Sequence, residues 1–468
     1  MKLSSPLEVY DYLPKTNCGE CGEATCMAFA AKLIERQDKL EKCKPILEDK
    51  FRKKYEELSE LLAPEIKEIV LGVGERAIKI GGEDVMHRHQ LTFFDETALV
   101  YDVWDTMDEA DLVARVKAIT DWQKFYVGDF LRLYGVAVRS TSNDPAKFGA
   151  CVKKVLETTP LPLVLCSFDP KVLEAGLEVA ADKNPLIYAA NKDNWKDVAK
   201  LVKKYNVAVT LYAPADLDLL KSMAVSFEKM GISDLVLDPG TYPTGKDLEQ
   251  TLQRFLQIRR AGIVEGQKDI AYPLMSVPLT TWMVYDDPVD ATYWETVLAD
   301  VFTIRYADIM ILHSIEPYAV MIQRTLVDNI YVDPRRPVQV DPGVNVIGNP
   351  TADSPVFMTT NFALTYYTVE SDVASNNIDC YILVVDTEGI GVEAALAGGQ
   401  LTSAKVKDTM EKADINLEEA VTHKTLIIPG LTARISGELE DTLGWNILVG
   451  PGDSGRIPGF LEEKWPPK

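Results

Sequence analysis

From residue 94 to residue 328 short, β-rich apolar runs alternate with amphipathic stretches of helical periodicity, and this alternation restricts the fold more than any other feature. Eight runs stand out: TALVYDV (97–103), GVAVRS (135–140), LPLVLCS (161–167), PLIYAA (185–190), VAVTLYA (207–213), DLVLDPG (234–240), IAYPLM (270–275) and DIMILHS (308–314). Between them, segments such as DEADLVARVKAITDWQK and DNWKDVAKLVKKY carry apolar residues at i, i+3, i+4 spacing. Eight such units in roughly 235 residues fit a closed (β/α)8 barrel of the TIM type. The even spacing and the count of eight favour it over a doubly wound open sheet.

At 468 residues the chain exceeds what one core serves, so further domains flank the barrel. After the Pro/Gly-rich stretch YVDPRRPVQVDPGVNVIGNP come strands at 356–360, 380–387, 425–430 and 446–450, with helices beginning near Ala363, Val392, Ser403 and Ala433. This predicts a small Rossmann-like α/β domain whose strand ends, rich in Thr, Gly and Pro, are where an open parallel sheet binds ligands. The whole reads as an α/β multidomain chain: a cysteine domain over 1–60, a connector over 61–93, the barrel over 94–330 and the α/β domain over 331–468. Within it LEDKFRKKYEELSELLAPEIKEI predicts a solvated, charged helix up to Pro64.

The amino-terminal segment holds Cys18-x2-Cys21-x4-Cys26-x16-Cys43. Four soft thiolates on so short a piece of chain are the ligand set of a [4Fe-4S] cluster. Structural zinc also takes four thiolates, but it usually uses two CxxC knuckles where this segment has one. Cys151, Cys166 and Cys380 lie in or beside apolar runs and read as core thiols.

Composition narrows the partners. The net charge of -22 works against nucleic acid and anionic membrane surfaces. Neither a span of ~18 apolar residues nor a secretory core is evident, so a cytoplasmic protein without a membrane segment is expected.

Barrel chemistry belongs at the carboxyl ends of strands, where Asp102, Asp105, Asn191, Asp238 and His313 fall. Asn191 and the LDPG run (237–240) are similar to the Asp and Asn of pterin-binding barrels, although turn and capping roles explain them equally well. His87 and His89 make no recognised ligand motif. GxSxG, HExxH and GxxxxGK[ST] are missing too, which points to chemistry carried by a cofactor rather than by catalytic side chains.

Taken with the barrel, NCGECGEATCMAFAAKL, TTNFALTYYTVESDVA, DTEGIGVEAALAGG and GPGDSGRIPGFL resemble the large subunits of corrinoid iron-sulfur proteins, and more narrowly the gamma subunits of acetyl-CoA decarbonylase/synthase complexes of methanogenic archaea. That resemblance implies a corrinoid-dependent methyltransferase subunit. It would carry a base-off cobamide on the carboxy-terminal domain and move a methyl group between a methyltetrahydropterin and the nickel cluster of acetyl-CoA synthase. The [4Fe-4S] cluster, on Cys18, Cys21, Cys26 and Cys43, would return Co(II) to Co(I). Corrinoid contacts are implied at Thr359, Thr365, Thr387, Gly389, Ile390, Gly391, Val392, Gly450, Pro451 and Gly452. None of the four histidines has Asp two positions before it, as the histidine-ligating DxHxxG motif requires. The implied partners are a small, delta-type corrinoid-protein subunit forming a heterodimer, together with acetyl-CoA synthase and CO dehydrogenase subunits. An electron-transfer subunit of a larger oxidoreductase, with a purely structural barrel, is the alternative.

Overall fold

The computed structural model describes residues 5–88, 90, 95–332 and 337–466; His89 and the expected barrel boundary at residue 94 lie outside them. The chain divides into two compact units, one of Met1–Trp122 with Leu133–Tyr331 and the other of Gln123–Arg132 with Val332–Lys468.

The first unit begins with a small helical domain: α1 (Pro6–Tyr12), α2 (Cys26–Ile34) and α3 (Arg52–Leu62) around a core of Val9, Leu13, Phe29, Ile46 and Leu58. Local chemistry sets the helix starts. Ser5 and Glu8 form a reciprocal capping box ahead of Pro6, and the Thr25 hydroxyl accepts from the Ala28 N–H at 3.1 Å. The charged helix expected as a solvated connector is α3, but its Leu58 is fully buried in that core. It is one wall of the cysteine domain, because a single apolar stripe is enough to dock it.

Residues of the expected connector also form the floor of the barrel. An antiparallel ribbon, Ile69–Leu71 with Ile78–Ile80, packs Ile69, Leu71 and Ile80 against Ala98, Val100, Ala137, Val164, Leu186, Ala208 and Val236. The Gly72 N–H donates to the Asn184 carbonyl at 2.9 Å and the Asn184 side-chain amide to the Val70 carbonyl at 2.8 Å, fixing the ribbon to the sheet.

The barrel strands are β1 (Ala98–Trp104), β2 (Gly135–Arg139), β3 (Leu163–Cys166), β4 (Leu186–Ala190), β5 (Ala208–Tyr212), β6 (Leu235–Asp238), β7 (Met275–Ser276) and β8 (Ile309–Leu312). All pair in parallel in the order β6-β5-β4-β3-β2-β1-β8-β7, and a Leu237–Leu274 bridge links the remaining gap. Period-two alternation divides each strand. Leu99, Tyr101 and Val103 face the helices, whereas Ala98 and Val100 face the interior. Helices α4 (Glu109–Asp121), α5 (Pro145–Thr158), α6 (Pro170–Ala180), α7 (Trp195–Tyr205), α8 (Leu217–Lys229), α9 (Gly245–Ile263), α10 (Pro288–Ile304) and α11 (Pro317–Thr325) follow the strands in turn. Three of them open on Asp-Pro, with Asp144, Asp169 and Asp287 accepting from the first turn and proline at N1, where no N–H is needed.

Two sequence expectations shift. The seventh strand, expected at 270–275, forms at Met275–Ser276 after a 3-10 turn at Lys268–Ile270, since Pro273 has no N–H to give a ladder. The helix expected to run through Lys124 stops at Asp121. The chain then makes a hairpin, Gln123–Tyr126 with Asp129–Arg132, which belongs to the second unit.

In that unit five strands, β9 (Gly343–Ile347), β10 (Val356–Thr360), β11 (Cys380–Val385), β12 (Thr425–Ile428) and β13 (Asn446–Val449), lie in the order β9-β11-β10-β12-β13. Only β9 is antiparallel. Alternate residues feed two cores. Met358, Leu383 and Ile428 pack with α13 (Val392–Gly398), α14 (Ser403–Lys412), α15 (Leu417–Ala420) and α16 (Ser436–Leu443), while Phe357, Ile382 and Ile427 pack with α12 (Ala363–Ser375) and α17 (Ile457–Lys464). The result is a sheet covered by helices on both faces.

Candidate cofactor sites

Cys18 and Cys21 lie on the loop before α2, Cys26 is its first residue and Cys43 follows a 3-10 turn at Leu40–Lys42; among the described residues no three of them stand as a set that could hold a metal ion. Cys18 is exposed, Cys21 half-buried, and Cys26 and Cys43 are buried. Asn17 organises the loop: its side-chain carbonyl accepts from the Cys26 N–H at 2.8 Å, and its own N–H donates to Cys26 Sγ at 3.4 Å. Gly19 and Gly22, both at positive φ, supply the left-handed backbone that turns this loop, and a Cβ added at either would touch nothing within 4 Å. Burial raises the Cys43 thiol pKa; the Ile46 N–H opposes this, and the charges of Cys21, Cys26 and Cys18 add to the rise. A thiol buried in this way is held as thiolate when a cationic centre takes its charge.

In the second unit the carboxyl ends of β10 and β12, α12 and the 450–454 loop enclose a cavity of about 350 Å³. Apolar side chains dominate its wall, among them Phe357, Met358, Leu364, Ile427 and Leu431. Six of the ten residues expected at a corrinoid line it: Thr359, Thr365, Val392, Gly450, Pro451 and Gly452. The buried Thr359 hydroxyl has no hydrogen-bond partner among the described residues, so a polar atom on the cavity wall is left for a ligand. A Cβ at Gly430 would lie 2.9 Å from Gly450 O and Gly452 N, which is why two backbone loops can meet at the rim.

Thr387, Gly389, Ile390 and Gly391 stand beside this cavity as the turn that opens α13. The Thr387 hydroxyl donates to the Ile390 carbonyl at 2.7 Å. The hub of that turn is Asn361, which the sequence reading did not single out. Its side-chain carbonyl accepts from the Thr387 N–H and the Gly389 N–H at 2.9 and 3.0 Å. Its position after a Thr-Thr strand end, three residues before a helix interior, was the available signal.

Two fully buried carboxylates, Asp102 on β1 and Asp238 at the end of β6, stand at the carboxyl mouth of the barrel. Asp102 is fully buried and ion-paired with Arg115 (3.0 Å) and Arg139 (2.6 Å), with His313 Nδ1 at 2.8 Å. Burial alone would raise its pKa, but His313, Arg139 and Arg115 together hold it below the usual carboxylate range. Asp238 has no cation beside it among the described residues. Burial pushes its pKa up to about 7, against hydrogen bonds from Tyr188 Oη and the Gly240 N–H, each 2.8 Å. Asn191 serves the backbone: its side chain accepts from the Asp193 and Asn194 N–H groups ahead of α7. Asp105 likewise ties the 140–142 turn.

Comparison with known proteins gives this geometry a family. Residues 13–45 match the family described as an Fe-S cluster, and residues 68–461 match the CO dehydrogenase/acetyl-CoA synthase delta subunit family. Acetyl-CoA decarbonylase/synthase complex subunit gamma 1 of Methanosarcina mazei is 62% identical over the full length of both chains. The chain belongs to the acetyl-CoA decarbonylase/synthase gamma subunits. Gamma subunits of Archaeoglobus fulgidus, 54% identical over all of both chains, and of Methanothermobacter thermautotrophicus, 41% identical over 98% of each, extend the family. Among solved structures, dihydropteroate synthase of Thermus thermophilus covers 55% of this chain and 97% of its own at 16% identity and a TM-score of 0.38. As a gamma subunit the chain is part of a multisubunit complex and carries an Fe-S domain. No helix among its described residues is long and apolar enough to cross a membrane.

Proposed function

We propose that this gamma subunit is the methyl-carrying corrinoid and iron-sulfur component of its complex, exchanging a methyl group between a methyltetrahydropterin and the acetyl-CoA synthase subunit. The cavity with the unpartnered Thr359 hydroxyl carries the reading: an apolar wall, a buried hydroxyl and a Gly-Pro-Gly run at the rim suit a flat ligand whose edge bears amides. When bound, a corrinoid supplies a low-valent cobalt nucleophile, and a [4Fe-4S] cluster supplies single electrons at low potential.

The chain's own residues then have definite tasks. Thr359 and Thr365 offer hydroxyls to the amide edge, Val392 and Leu431 exclude water, and Gly450–Gly452 let the backbone approach. Cys18, Cys21, Cys26 and Cys43 hold the cluster, with Asn17 fixing the first sulfur-bearing loop. His423, the second unit's histidine, points elsewhere: Nε2 lies 3.0 Å from the Ser354 carbonyl and the ring packs edge-on against Trp465. A delta-type subunit, the synthase subunit and a CO dehydrogenase subunit complete the assembly.

Anaerobic purification of the chain with a delta-type partner tests this. Cobalt and iron should appear at about one to four per chain, and Thr359→Val should lower cobalt retention while leaving iron unchanged. Iron without any corrinoid would instead favour an electron-transfer subunit.

A further inference from the structure

The turn after β7 and the start of α10 expose apolar side chains that none of the chemistry above uses. Met283 is 81% exposed, Val289 67%, Tyr293 59% and Trp294 40%. Val289 and Tyr293 are one helical turn apart on α10. Tyr285 stacks on Trp294 with ring centroids 6.0 Å apart and nearly parallel planes, and Tyr293 meets Trp294 edge-on at 5.3 Å. Aromatic rings held against one another at the surface make a pre-ordered contact area that loses little entropy on binding, and an apolar patch of this kind marks an interaction face.

Charge identifies what can cover it. From Asp269 to Ile304 the chain has no lysine or arginine. Asp286, Asp287 and Asp290 are all exposed at the rim of the patch. A second copy of this chain would bring two such acidic rims together, and an anionic lipid surface would be repelled in the same way. We propose that this face docks another subunit of the complex through a surface with an apolar centre ringed by lysine and arginine. The partner would then sit at the carboxyl mouth of the barrel, where Trp282 of the same turn lies edge-on to His313 at 4.4 Å. The proposal rests on the chain's membership of a multisubunit complex and not on its cofactors.

The test uses the full complex assembled around a tagged chain. Met283→Arg/Tyr293→Arg should reduce the co-purifying subunit at least tenfold with the circular dichroism and iron content of the chain retained. Asp286→Asn/Asp290→Asn should weaken the association and flatten its salt dependence; Asp287 is left alone because it caps α10. A photo-crosslinking residue placed at 283 in the otherwise unchanged complex covers the case in which the double variant does not fold. Crosslinks to a lysine- or arginine-flanked segment of another subunit are expected. Crosslinks to a second copy of the chain, no crosslink in the intact complex, or normal assembly by the folded double variant would overturn the proposal. Iron without any cobalt in the parent complex, with docking intact, would sink the methyl-carrier reading alone.

Discussion

At the scale of single residues, Asn361 and Asp238 show how burial turns one side chain into a constraint on many. Asn361→Ala leaves the Thr387 and Gly389 N–H groups without their acceptor inside the protein. Each unmade bond of this kind costs about 1–3 kcal/mol, so thermal unfolding of the second unit should show a loss of about 2–6 kcal/mol. Asp238 acts through protons. Its folded pKa, raised to about 7 by burial, lies above the value of about 4 expected unfolded, so unfolding releases a proton between those values. Its contribution is therefore full at pH 4 and is lost as pH rises through 7. Asn in its place can donate to Tyr188 and still accept from Gly240. Asp238→Asn should match the parent near pH 5 and exceed its melting temperature by roughly 5 °C at pH 8.5. An equal difference at both pH values would show that Asp238 does not hold its proton. The acid itself was visible in the LDPG run, whereas its lack of a cation was not, because that depends on which side chains the other strands bring round.

At the scale of elements, what could be read depended on length and periodicity. Barrel strands and amphipathic helices announce themselves because each buries a face of its own. The 69–71/78–80 ribbon has only three residues a side and borrows its core from barrel strands remote in sequence. It looked like linker for that reason, yet Ile80→Ala should cost the barrel about 2–5 kcal/mol in chemical denaturation, as for any fully buried aliphatic. The 123–132 hairpin was hidden differently, since its first residues continue the polarity of α4. Its tip is held by Gly128, at φ +90, whose added Cβ would come within 2.2 Å of the Tyr367 ring on α12, while Phe125 meets the same ring edge-on at 5.8 Å. Gly128→Ala should release the hairpin and open the Phe125–Phe130 segment to chymotrypsin, with the barrel fragments on either side resistant. An unchanged digestion pattern would mean that the contact does not hold the hairpin. Edge strand β9 escaped notice because its Gly- and Pro-rich surroundings read as linker.

For the whole molecule, the decisive fact is that the cysteines and the cavity lie in different compact units and share no residue. Each site is closed by its own core: Cys26 and Cys43 pack with Phe29 and Ile46, while the cavity is walled by β10, β12 and α12. Loss of one should leave the other loaded. Cys26→Ala removes a thiol at the first residue of α2, where Thr25 still caps the helix, so the domain keeps its helices while the proposed cluster would lose a ligand. Iron content and cluster absorbance should fall while cobalt remains. The functional consequence separates carrier from reductant. If the cluster serves only to restore the reduced state, chemically pre-reduced Cys26→Ala protein should take up one methyl equivalent at the parental rate and then fail progressively over repeated turnovers. Failure on the first turnover would place the cluster in the transfer itself. Cobalt lost in proportion to iron would mean that the two units fold or load as one, and the separation of their cores argues against that.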